Sequence, residues 1–240
     1  AMELGADYIA TGHYCQNIEG KLHKGLDGNK DQSYFLYAIN GNVLKNVLFP
    51  IGGMQKTQVR KIAQTYDLTV SDKKDSTGIC FIGERRFDKF LSEYISTKPG
   101  PFKTLDGKVV GQHQGVSFYT VGQRRHLNLG GQGNRWFVIE KDVPNNIVYV
   151  ERDPNHPRLF TQKIIADQIN WISPPTFKTP YLCQAKIRYR QEDQICTIES
   201  LDNKYLTISF KEPQKSVAIR QSIVFYEGAQ CLGGAQIKKI

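Results

Sequence analysis

Cys183–Ser200 reads CQAKIRYRQEDQICTIES, two runs in which apolar and polar residues alternate on either side of a short polar stretch. A two-residue period is typical of β-strands that bury one face, and the polar stretch between them is typical of a turn. Two more alternating runs follow closely, YLTISF at 205–210 and SIVFYEG at 222–228. Several short strands at this spacing are typical of a small barrel or sandwich, and we expect a C-terminal antiparallel β-barrel over residues 158–240.

The region before this barrel also carries strand patterns. Four of its segments have β character: KVVGQH, VSFYTVG, WFVIEKD and IVYVER. Asp106-Gly107 and Asn145-Asn146 are turn signals between them. Pro99-Gly100-Pro101 ends a preceding helical pattern, and another boundary is expected near His156-Pro157. A small central domain is therefore predicted for residues 83–157.

The N-terminal region has the character of an α/β domain. Ala6–Tyr14, ADYIATGHY, predicts a short buried strand followed by a glycine turn, the place where α/β sheets present ligand-binding groups. Too few other strands precede residue 80 to complete a sheet. We therefore expect residues 1–82 to be the C-terminal part of an α/β domain whose N-terminal part is missing.

Two amphipathic helices are predicted in and after this region. Lys56–Asp67, KTQVRKIAQTYD, has one apolar face that we expect to pack inward, formed by Val59, Ile62, Ala63 and Tyr66. Glu84–Ile95, ERRFDKFLSEYI, repeats the pattern with Phe87, Phe90, Leu91 and Tyr94. Both helices have basic residues on the opposite face.

Charge and composition narrow the class of partner. The 240 residues are 40% hydrophobic and carry a net charge of +9, which favours a globular protein with a polyanionic partner. Nucleic acid is expected ahead of an acidic membrane surface. No apolar run approaches the roughly 20 residues that a bilayer requires, and the opening AMELGADYIA lacks the features of a signal peptide. We expect no membrane partner.

The five cysteines indicate a reducing compartment. Their number is odd and they form no CxxC pair, which argues against a disulfide framework and against a zinc site. We therefore expect a cytoplasmic protein without a bound metal. Cys183, Cys196 and Cys231 are expected to pack in the interior, whereas the role of Cys15 stays open.

The basic residues concentrate in the centre of the chain. Residues 83–135 contain nine lysines and arginines against four aspartates and glutamates. Arg124, Arg125 and Arg135 flank a glycine-rich loop in VGQRRHLNLGGQGNR, where guanidinium groups could fork onto phosphate oxygens. A solvated flexible loop is the alternative interpretation.

Cys80 has a different context from the other cysteines. It follows Lys73, Lys74 and the turn-like Ser76-Thr77-Gly78 in KKDSTGICF. Positive potential and backbone amides stabilise a thiolate, which is the reactive form of cysteine. The residues alone leave two alternatives open, a reactive thiol and a small buried side chain before Phe81.

Seven motifs in order resemble the tRNA-specific 2-thiouridylase family across essentially the whole chain. They are ATGHY, NKDQSYFLY, KTQVRKIA, KKDSTGICFIGER, HQG followed by TVGQRR, KIRYRQ, and QCLGG. The resemblance implies an α/β adenylating domain, Rossmann-like and of the PP-loop ATP pyrophosphatase type. It implies ATP-dependent adenylation of the wobble uridine at O2, with Mg²⁺, followed by sulfur transfer. For Cys80 it implies the role of persulfide carrier, with a disulfide left after transfer.

The same resemblance implies binding roles at single positions. Gly12 corresponds to a nucleotide-contacting glycine. The positions that correspond to tRNA-contacting residues of the family are His13, Lys30, Asp31, Gln32, Arg188, Tyr189 and Gln221. The residues alone favour a turn histidine for His13 and a solvated loop for residues 30–32. Arg190 is predicted to share a strand face with Arg188, with a plain solvent-facing basic strand as the alternative. The implied partners are tRNAs for Lys, Glu and Gln and a cysteine desulfurase or sulfur-relay protein.

The chain also departs from the family pattern. An SGGxDS-type PP-loop and the first catalytic cysteine, which the family places before the ATGHY strand, are absent from the sequence. Cys15 lies after that strand and does not take its place. We therefore expect the chain alone to be unable to adenylate tRNA. A tRNA-binding module without catalysis and a general sulfur-relay protein stay open as alternatives.

Overall fold

A computed structural model of the chain describes residues 1–69, 71–72, 90, 92–94, 98–173, 175–202 and 204–240. The described residues fall into two compact units. The first, here called the barrel unit, comprises those of Ala1–Lys73, Gln162–Pro213 and Ile219–Ile240. The second, here called the central unit, comprises those of Lys74–Thr161 and Gln214–Ala218.

The described strands, in chain order, are β1 (Ile9–Ala10), β2 (Cys15–Ile18), β3 (Lys21–Lys24), β4 (Val47–Leu48), β5 (Gly100–Lys103), β6 (Val109–His113), β7 (Phe137–Asp142), β8 (Ile147–Glu151), β9 (Phe160–Trp171), β10 (Tyr181–Lys186), β11 (Gln194–Leu201), β12 (Leu206–Lys215), β13 (Ser222–Glu227) and β14 (Gln230–Lys239). The described α-helices are α1 (Ser33–Leu36) and α2 (Lys56–Thr65). Segments of 3-10 helix cover Met2–Leu4, Gly41–Asn46, Val116–Phe118 and Pro157–Leu159.

Strands β9 to β14 form the predicted antiparallel barrel. Their order is β13-β10-β11-β12-β9-β14, and pairing of β13 with β14 closes it. In the central parts of β10, β11 and β12 buried side chains alternate with less buried ones, because successive residues of a strand point to opposite faces. The alternation seen in CQAK, ICTIES and YLTISF is thus the inside–outside pattern of this barrel.

Strand β13 is buried on both of its faces. Ile223–Tyr226 are four consecutive buried residues, although a barrel interior alone explains only every second one. Val224 and Tyr226 belong to a hydrophobic cluster with Cys15, Leu22 and other side chains that precede residue 45. The N-terminal segment therefore packs on the outside of the barrel at β13.

A hairpin from the N-terminal region extends the barrel sheet. Strands β2 and β3 pair antiparallel, and β3 pairs with β14 through His23 and Gln230. The backbone amide of Lys24 also donates to the Ala229 carbonyl at 2.9 Å. No local pattern predicts this pairing, because it joins residues more than 200 positions apart.

The α/β region differs from expectation in its burial. The strand predicted in ADYIATGHY is confirmed as β1, which pairs in parallel with β4, but its two residues are exposed and not buried. Helix α2 is confirmed, yet Ile62 is 45% exposed, and Tyr66, which follows the helix, is 74% exposed. Val59 and Ala63 on the same face are half-buried, so the described residues cover this face only in part.

The central unit is built on a four-stranded sheet. Its order is β6-β5-β8-β7, with β5 and β8 parallel and the other pairs antiparallel. The strands predicted from KVVGQH, WFVIEKD and IVYVER are β6, β7 and β8. Its core is formed by Phe102, Val116, Tyr119, Leu127, Val138, Val148 and Val150.

The strand predicted from VSFYTVG is wrong. Val116–Phe118 form a 3-10 turn, and Gly122 has φ +85, a left-handed value that interrupts an extended chain. Val116 and Tyr119 nevertheless reach the core of the central unit, which is why the segment has the hydrophobicity of a strand. A turn that projects its side chains inward has the composition of a strand without its pairing.

A buried histidine predicts a pH dependence for the central unit. His113 is 3% exposed and packs edge-on against Phe102, with ring centroids 5.1 Å apart. Burial lowers its pKa below 6.5, although the backbone carbonyls of Asn146 and Pro101 partly offset this effect. The unfolded chain therefore binds a proton that the folded unit does not, and stability falls as the pH drops below about 6.5.

We expect the free energy of unfolding of the central unit to fall by up to about 1.4 kcal/mol per pH unit between about pH 6.5 and the lowered pKa of His113. Urea unfolding followed by Trp136 fluorescence, in a Trp171→Phe background, measures this slope. His113→Phe removes the titrating side chain, so the free energy of unfolding should depend less on pH in that range. An unchanged slope in His113→Phe would assign the pH dependence to another group.

Candidate nucleic-acid interface

The segment NKDQSYFLY is fixed to the outside of the barrel through β13. The Tyr34 hydroxyl donates to the Ser222 carbonyl at 2.9 Å, and the hydroxyls of Tyr37 and Ser222 also lie 2.9 Å apart. The Ser33 and Tyr226 hydroxyls are separated by 3.1 Å. Burial raises the pKa values of Tyr34 and Tyr226, so both remain neutral hydrogen-bonding phenols. Helix α1 is thus held at both of its ends.

A glycine in the QCLGG motif makes this docking possible. A Cβ added at Gly234 would lie 2.5 Å from the Tyr37 ring and 2.6 Å from the Ile223 carbonyl oxygen. Only a residue without a side chain lets the Tyr37 ring approach the backbone of β14 so closely. The two motifs are therefore physical partners in one interface.

Asp31 is buried and holds the loop that leads into α1. It is 5% exposed, and its carboxylate accepts from the backbone amides of Gly25 and Ser33, each at 3.1 Å. The Ser33 hydroxyl donates to the other carboxylate oxygen at 3.0 Å, and the Lys186 ammonium lies 3.8 Å away. This geometry makes Asp31 an organiser of the loop, and its predicted contact with tRNA stays a prediction.

A cluster of opposite charges continues from Asp31 toward the barrel. Lys24 pairs with Asp193 at 2.5 Å, and Lys186 lies 3.7 Å from Asp193. The Lys24 ammonium also sits 4.4 Å from the ring centroid of Tyr226. Because these side chains are largely shielded from water, each needs its partner to offset the cost of desolvation. The cluster joins β3, β10 and the loop before β11.

Gln32 connects the loop to the predicted ligand-binding turn at residues 12–14. Its amide oxygen accepts from the Tyr14 backbone amide at 2.9 Å, and its own backbone amide donates to the Tyr14 carbonyl. His13, the next residue toward β1, lies with Nδ1 2.9 Å from the Thr11 hydroxyl. Gly12 is exposed, and a Cβ there would meet nothing within 4 Å.

Tyr189 and the two neighbouring arginines lie on a turn and not on a strand. Strand β10 ends at Lys186, and Arg190 has φ +65, so the shared strand face predicted for Arg188 and Arg190 is wrong. The turn is stabilised by the Gln191 side chain, whose oxygen accepts from the Ile187 backbone amide at 2.8 Å. Alternation of arginine and tyrosine at 188–190 is compatible with a turn as well as with a strand, so the sequence did not distinguish the two.

The structure brings several of the predicted tRNA contacts around α1. The ring of Tyr189 lies 4.5 Å from that of Phe35, with the planes tilted by 44°. Gln221 directly precedes Ser222, the residue that anchors Tyr34 and Tyr37. Sequence reasoning missed Phe35, although an aromatic residue inside NKDQSYFLY was a usable signal. The roles of His13, Lys30, Asp31, Gln32, Arg188, Tyr189 and Gln221 in binding stay predictions.

In the central unit the glycine-rich loop is ordered around one arginine. The Arg152 guanidinium lies 4.2 Å from the Trp136 ring and donates to the Gly130 carbonyl at 3.1 Å. The Trp136 indole donates to the same carbonyl at 3.1 Å. A Cβ at Gly131 would lie 2.7 Å from the guanidinium, so the glycine lets the loop close over it. Three arginines that flank the loop are exposed: Arg124, Arg125 and Arg135.

The four described cysteines are buried thiols. Burial raises the pKa values of Cys15 and Cys231 to about 12, which excludes a thiolate at neutral pH. Cys183 and Cys196 face each other across β10 and β11 with sulfurs 3.7 Å apart. Packing is thus confirmed for Cys183, Cys196 and Cys231, and Cys15 joins them. Cys80 lies outside the described residues.

Other predictions lie wholly or partly outside the described residues. These are Lys73, Lys74, the 76–78 turn and most of the helix predicted at Glu84–Ile95, of which Phe90 and Tyr94 are described. None of the helices in the described part of the chain is long and apolar enough to cross a bilayer. Among the described side chains, no group of three or more His, Cys, Asp or Glu could hold a metal ion.

Three family matches follow the chain in order. Residues 1–84 match the family described as tRNA methyl transferase HUP domain, and residues 88–152 match the tRNA methyl transferase PRC-barrel domain. Residues 161–237 match the aminomethyltransferase beta-barrel domain. The fold is therefore that of a three-domain protein with an N-terminal HUP-type α/β region, a PRC-barrel-like centre and a closed C-terminal barrel. The predicted domain boundaries at 82 and 157 remain predictions.

Individual relatives define the family more closely. The chain is 52% identical to the tRNA-specific 2-thiouridylase MnmA of Protochlamydia amoebophila, over 100% of this chain and 65% of that protein. It is 47% identical to the protein of the same name from Tolumonas auensis, over 100% of this chain and 67% of that protein. The identity to that of Pseudomonas fluorescens is 48%, over 99% and 66%. The chain belongs to the tRNA-specific 2-thiouridylase family, and it spans about two thirds of the length of these relatives.

Proposed function

We propose that this chain is part of an enzyme that replaces the O2 oxygen of the wobble uridine of tRNA by sulfur. The observation that carries this proposal is the match of the whole chain to proteins named tRNA-specific 2-thiouridylase, at 46% to 52% identity. The overall reaction consumes ATP and releases AMP and diphosphate. The product is 2-thiouridine, and the reaction class is that of a tRNA-uridine 2-sulfurtransferase.

Cys80 is proposed as the carrier of the transferred sulfur. The terminal sulfur of a Cys80 persulfide attacks C2 of the activated uridine, and AMP departs with the original oxygen. A second thiol then attacks the Cys80 sulfur and breaks the S–S bond. The terminal sulfur stays on the uridine, a cysteine disulfide remains, and an external thiol reduces it before the next turnover.

The state of the other cysteines supports this assignment. Cys15 and Cys231 are held as buried thiols, and Cys196 shares a hydrogen bond with Cys183 that, together with burial, raises its pKa. None of these four described side chains suits a step that needs an accessible thiolate. The second thiol is accordingly proposed to come from a segment that precedes the ATGHY strand in the family.

ATP is proposed to approach the carboxyl end of β1. Gly12 follows this strand, and its Cβ position is open, which leaves room for a ligand beside the backbone. When bound, ATP would supply the leaving group that uridine O2 lacks. The remaining ATP contacts, including those to Mg²⁺, are proposed to come from a PP-loop that this sequence does not contain.

Binding of tRNA is proposed to use both units. In the barrel unit the candidate surface consists of α1 with the loop before it, the 187–190 turn and Gln221. In the central unit the candidate is the arginine-flanked loop at 122–135, whose exposed guanidinium groups suit phosphate oxygens. The sulfur donor is proposed to be a cysteine desulfurase or a sulfur-relay protein, and the substrates to be tRNAs for Lys, Glu and Gln. Cytoplasm is the proposed location.

The proposal is tested by tRNA thiolation with nucleoside mass spectrometry as the readout. We expect no 2-thiouridine from the chain alone with ATP, Mg²⁺, tRNA and a persulfide donor. A fusion that adds the N-terminal third of the Protochlamydia amoebophila relative should produce 2-thiouridine. A fusion that binds ATP and tRNA but never thiolates, beside an active relative, would contradict the proposal.

Two other outcomes of the same assay identify the alternatives. Salt-dependent tRNA binding without any sulfur on Cys80 would indicate a binding module. Sulfur loading without preference for tRNA over other RNA would indicate a general relay protein. Thiolation by the chain alone would contradict the expectation that it needs a PP-loop from outside these 240 residues.

A further inference from the structure

Phe35 is an aromatic ring that the fold holds in the open. It is 55% exposed, whereas its neighbours Ser33 and Tyr34 are buried and hydrogen-bonded to β13. Because α1 is anchored on both sides of it, Phe35 cannot turn inward without breaking these bonds. Its ring also meets the Tyr34 ring edge-on, with centroids 5.5 Å apart. The anchored helix α1 therefore holds the Phe35 ring exposed and in a defined orientation.

Two side chains from a different segment complete the surface. The Tyr189 ring lies 4.5 Å from the Phe35 ring, and the Arg190 guanidinium lies 5.3 Å from the Tyr189 centroid. Tyr189 packs on its other side against the core cluster outside β13. Gln191 and the left-handed backbone of Arg190 shape the turn that carries both side chains. The group formed by Phe35, Tyr189 and Arg190 is here called the aromatic platform.

The chemistry of the aromatic platform favours a nucleic acid over an apolar protein segment. Arg190 lies over the Tyr189 ring, and Arg188 is on the same turn, so the rings are accompanied by positive charge. Lys30 lies on the same segment as Phe35. Flat rings beside cations match a flat base attached to a phosphate, and such stacking tolerates any base. Bases inside a duplex are already stacked on each other, so the complementary ligand is an unpaired nucleotide.

We propose that the aromatic platform stacks one unpaired base of an RNA loop, with Phe35 as the exposed stacking ring and Arg190 beside the phosphate. This inference rests on the proposed function, since it takes tRNA as the RNA. It adds Phe35 and Arg190 to the residues that bind substrate. It also assigns the group to the single-stranded part of the RNA, because a paired stem offers no free base face.

Fluorescence anisotropy with the 240-residue chain and a labelled anticodon stem-loop tests the proposal. Phe35→Ala should weaken binding roughly 5- to 150-fold, the range for removal of one base–aromatic stack. Phe35→Trp should retain binding, because it preserves a flat ring. A blunt duplex of the stem sequence should bind wild type and Phe35→Ala equally.

Salt dependence separates stacking from charge. The slope of log affinity against log salt should be the same for wild type and Phe35→Ala, because a phenyl ring releases no counterion. Arg190→Ala should reduce the slope by roughly 0.7 to 1, as expected for one phosphate contact. If Phe35→Ala weakened binding by unfolding the protein, its salt slope would change as well. An unchanged slope, together with wild-type affinity of Phe35→Trp, therefore indicates loss of stacking.

Phe160→Ala is the matched control. Phe160 also has a cation over its ring, with the Lys215 ammonium 5.4 Å from the centroid, but it lies outside the aromatic platform. We expect the Phe160→Ala variant to bind the stem-loop with the affinity of wild type. Thermal unfolding of each variant verifies that Phe35→Ala remains folded.

Three results would overturn the proposal, and they differ from failure of the proposed function. Wild-type affinity of folded Phe35→Ala for the stem-loop would refute stacking while leaving tRNA binding intact. If Phe35→Ala weakened binding of the stem-loop and of the duplex equally, the ligand of the aromatic platform would not be an unpaired base. A change in oligomeric state of Phe35→Ala by sedimentation would make the ring a contact between protein copies. Failure of wild type to bind any RNA at low salt would instead refute the proposed function.

Discussion

Replacing Cys80 by serine is expected to abolish sulfur loading and tRNA thiolation together. Incubation with a cysteine desulfurase and cysteine should add one sulfur atom to the mass of the wild-type chain, and a reductant should remove it. Serine cannot form a persulfide, so the gain should disappear in Cys80→Ser. In the fusion that carries a PP-loop, thiolation should fall on the order of 10³-fold or more, as for other covalent nucleophiles.

Cys183→Ala is the control for this experiment. Its sulfur is buried in the barrel against Cys196, 3.7 Å away, and removing it should leave sulfur loading unchanged. Sulfur on the wild-type chain that persists in Cys80→Ser would assign the carrier to another cysteine. No loading of wild type, in the chain or in the fusion, would contradict the persulfide role of Cys80.

Gly52→Ala is expected to destabilise the barrel unit strongly. A Cβ at this position would lie 1.5 Å from the backbone carbonyl oxygen of Cys15, far closer than two such atoms can approach. The clash is with backbone and not with the end of a side chain, so β2 and the 49–54 turn must separate. Because Cys15 belongs to the buried cluster on β13, the displacement reaches the core of the barrel unit.

We expect Gly52→Ala to lower the free energy of unfolding by about 3 kcal/mol or more, at the upper end of overpacking substitutions. For a domain of this size the melting temperature would fall by roughly 6 to 12 °C. Gly53→Ala is the matched control, since its Cβ would meet only the Gln16 side chain at 4.0 Å. Equal melting temperatures for the two variants would show that β2 and the turn are not in close contact.

The alternation of apolar and polar residues was enough to predict the strands of the barrel. Inside and outside alternate along β10 to β12 as they do in the sequence, and local patterning decides this. It failed for VSFYTVG and for Arg188–Arg190, because a turn that directs its side chains both inward and outward produces the same alternation as a strand. The backbone angles of Gly122 and Arg190 distinguish the two, and those are not visible in the residue pattern.

The residues of the candidate site were proposed from the sequence, but their arrangement was not predictable from it. The residues around α1 came from family motifs, whereas the burial of Asp31 and the exposure of Phe35 follow from pairings between distant segments. Asp31 meets Lys186 of β10, and Phe35 meets Tyr189 on the turn after it. Such contacts have no local periodicity, so sequence reasoning could name the residues but could not say which of them face solvent.

The hairpin of β2 and β3 has a consequence for the order in which the chain can fold. Lys24 donates to the carbonyl of Gly228, which is 204 positions later, and β3 pairs with the last strand of the barrel. At about 5–20 residues per second, a ribosome needs roughly 10–40 s to make the intervening chain. During that time the N-terminal segment has no barrel on which to bury its apolar face. Contacts between residues so far apart in the sequence also form slowly. Nascent chains halted before β13 should therefore expose residues 15–44 to proteases and chaperones, although this segment leaves the ribosome well before the barrel strands.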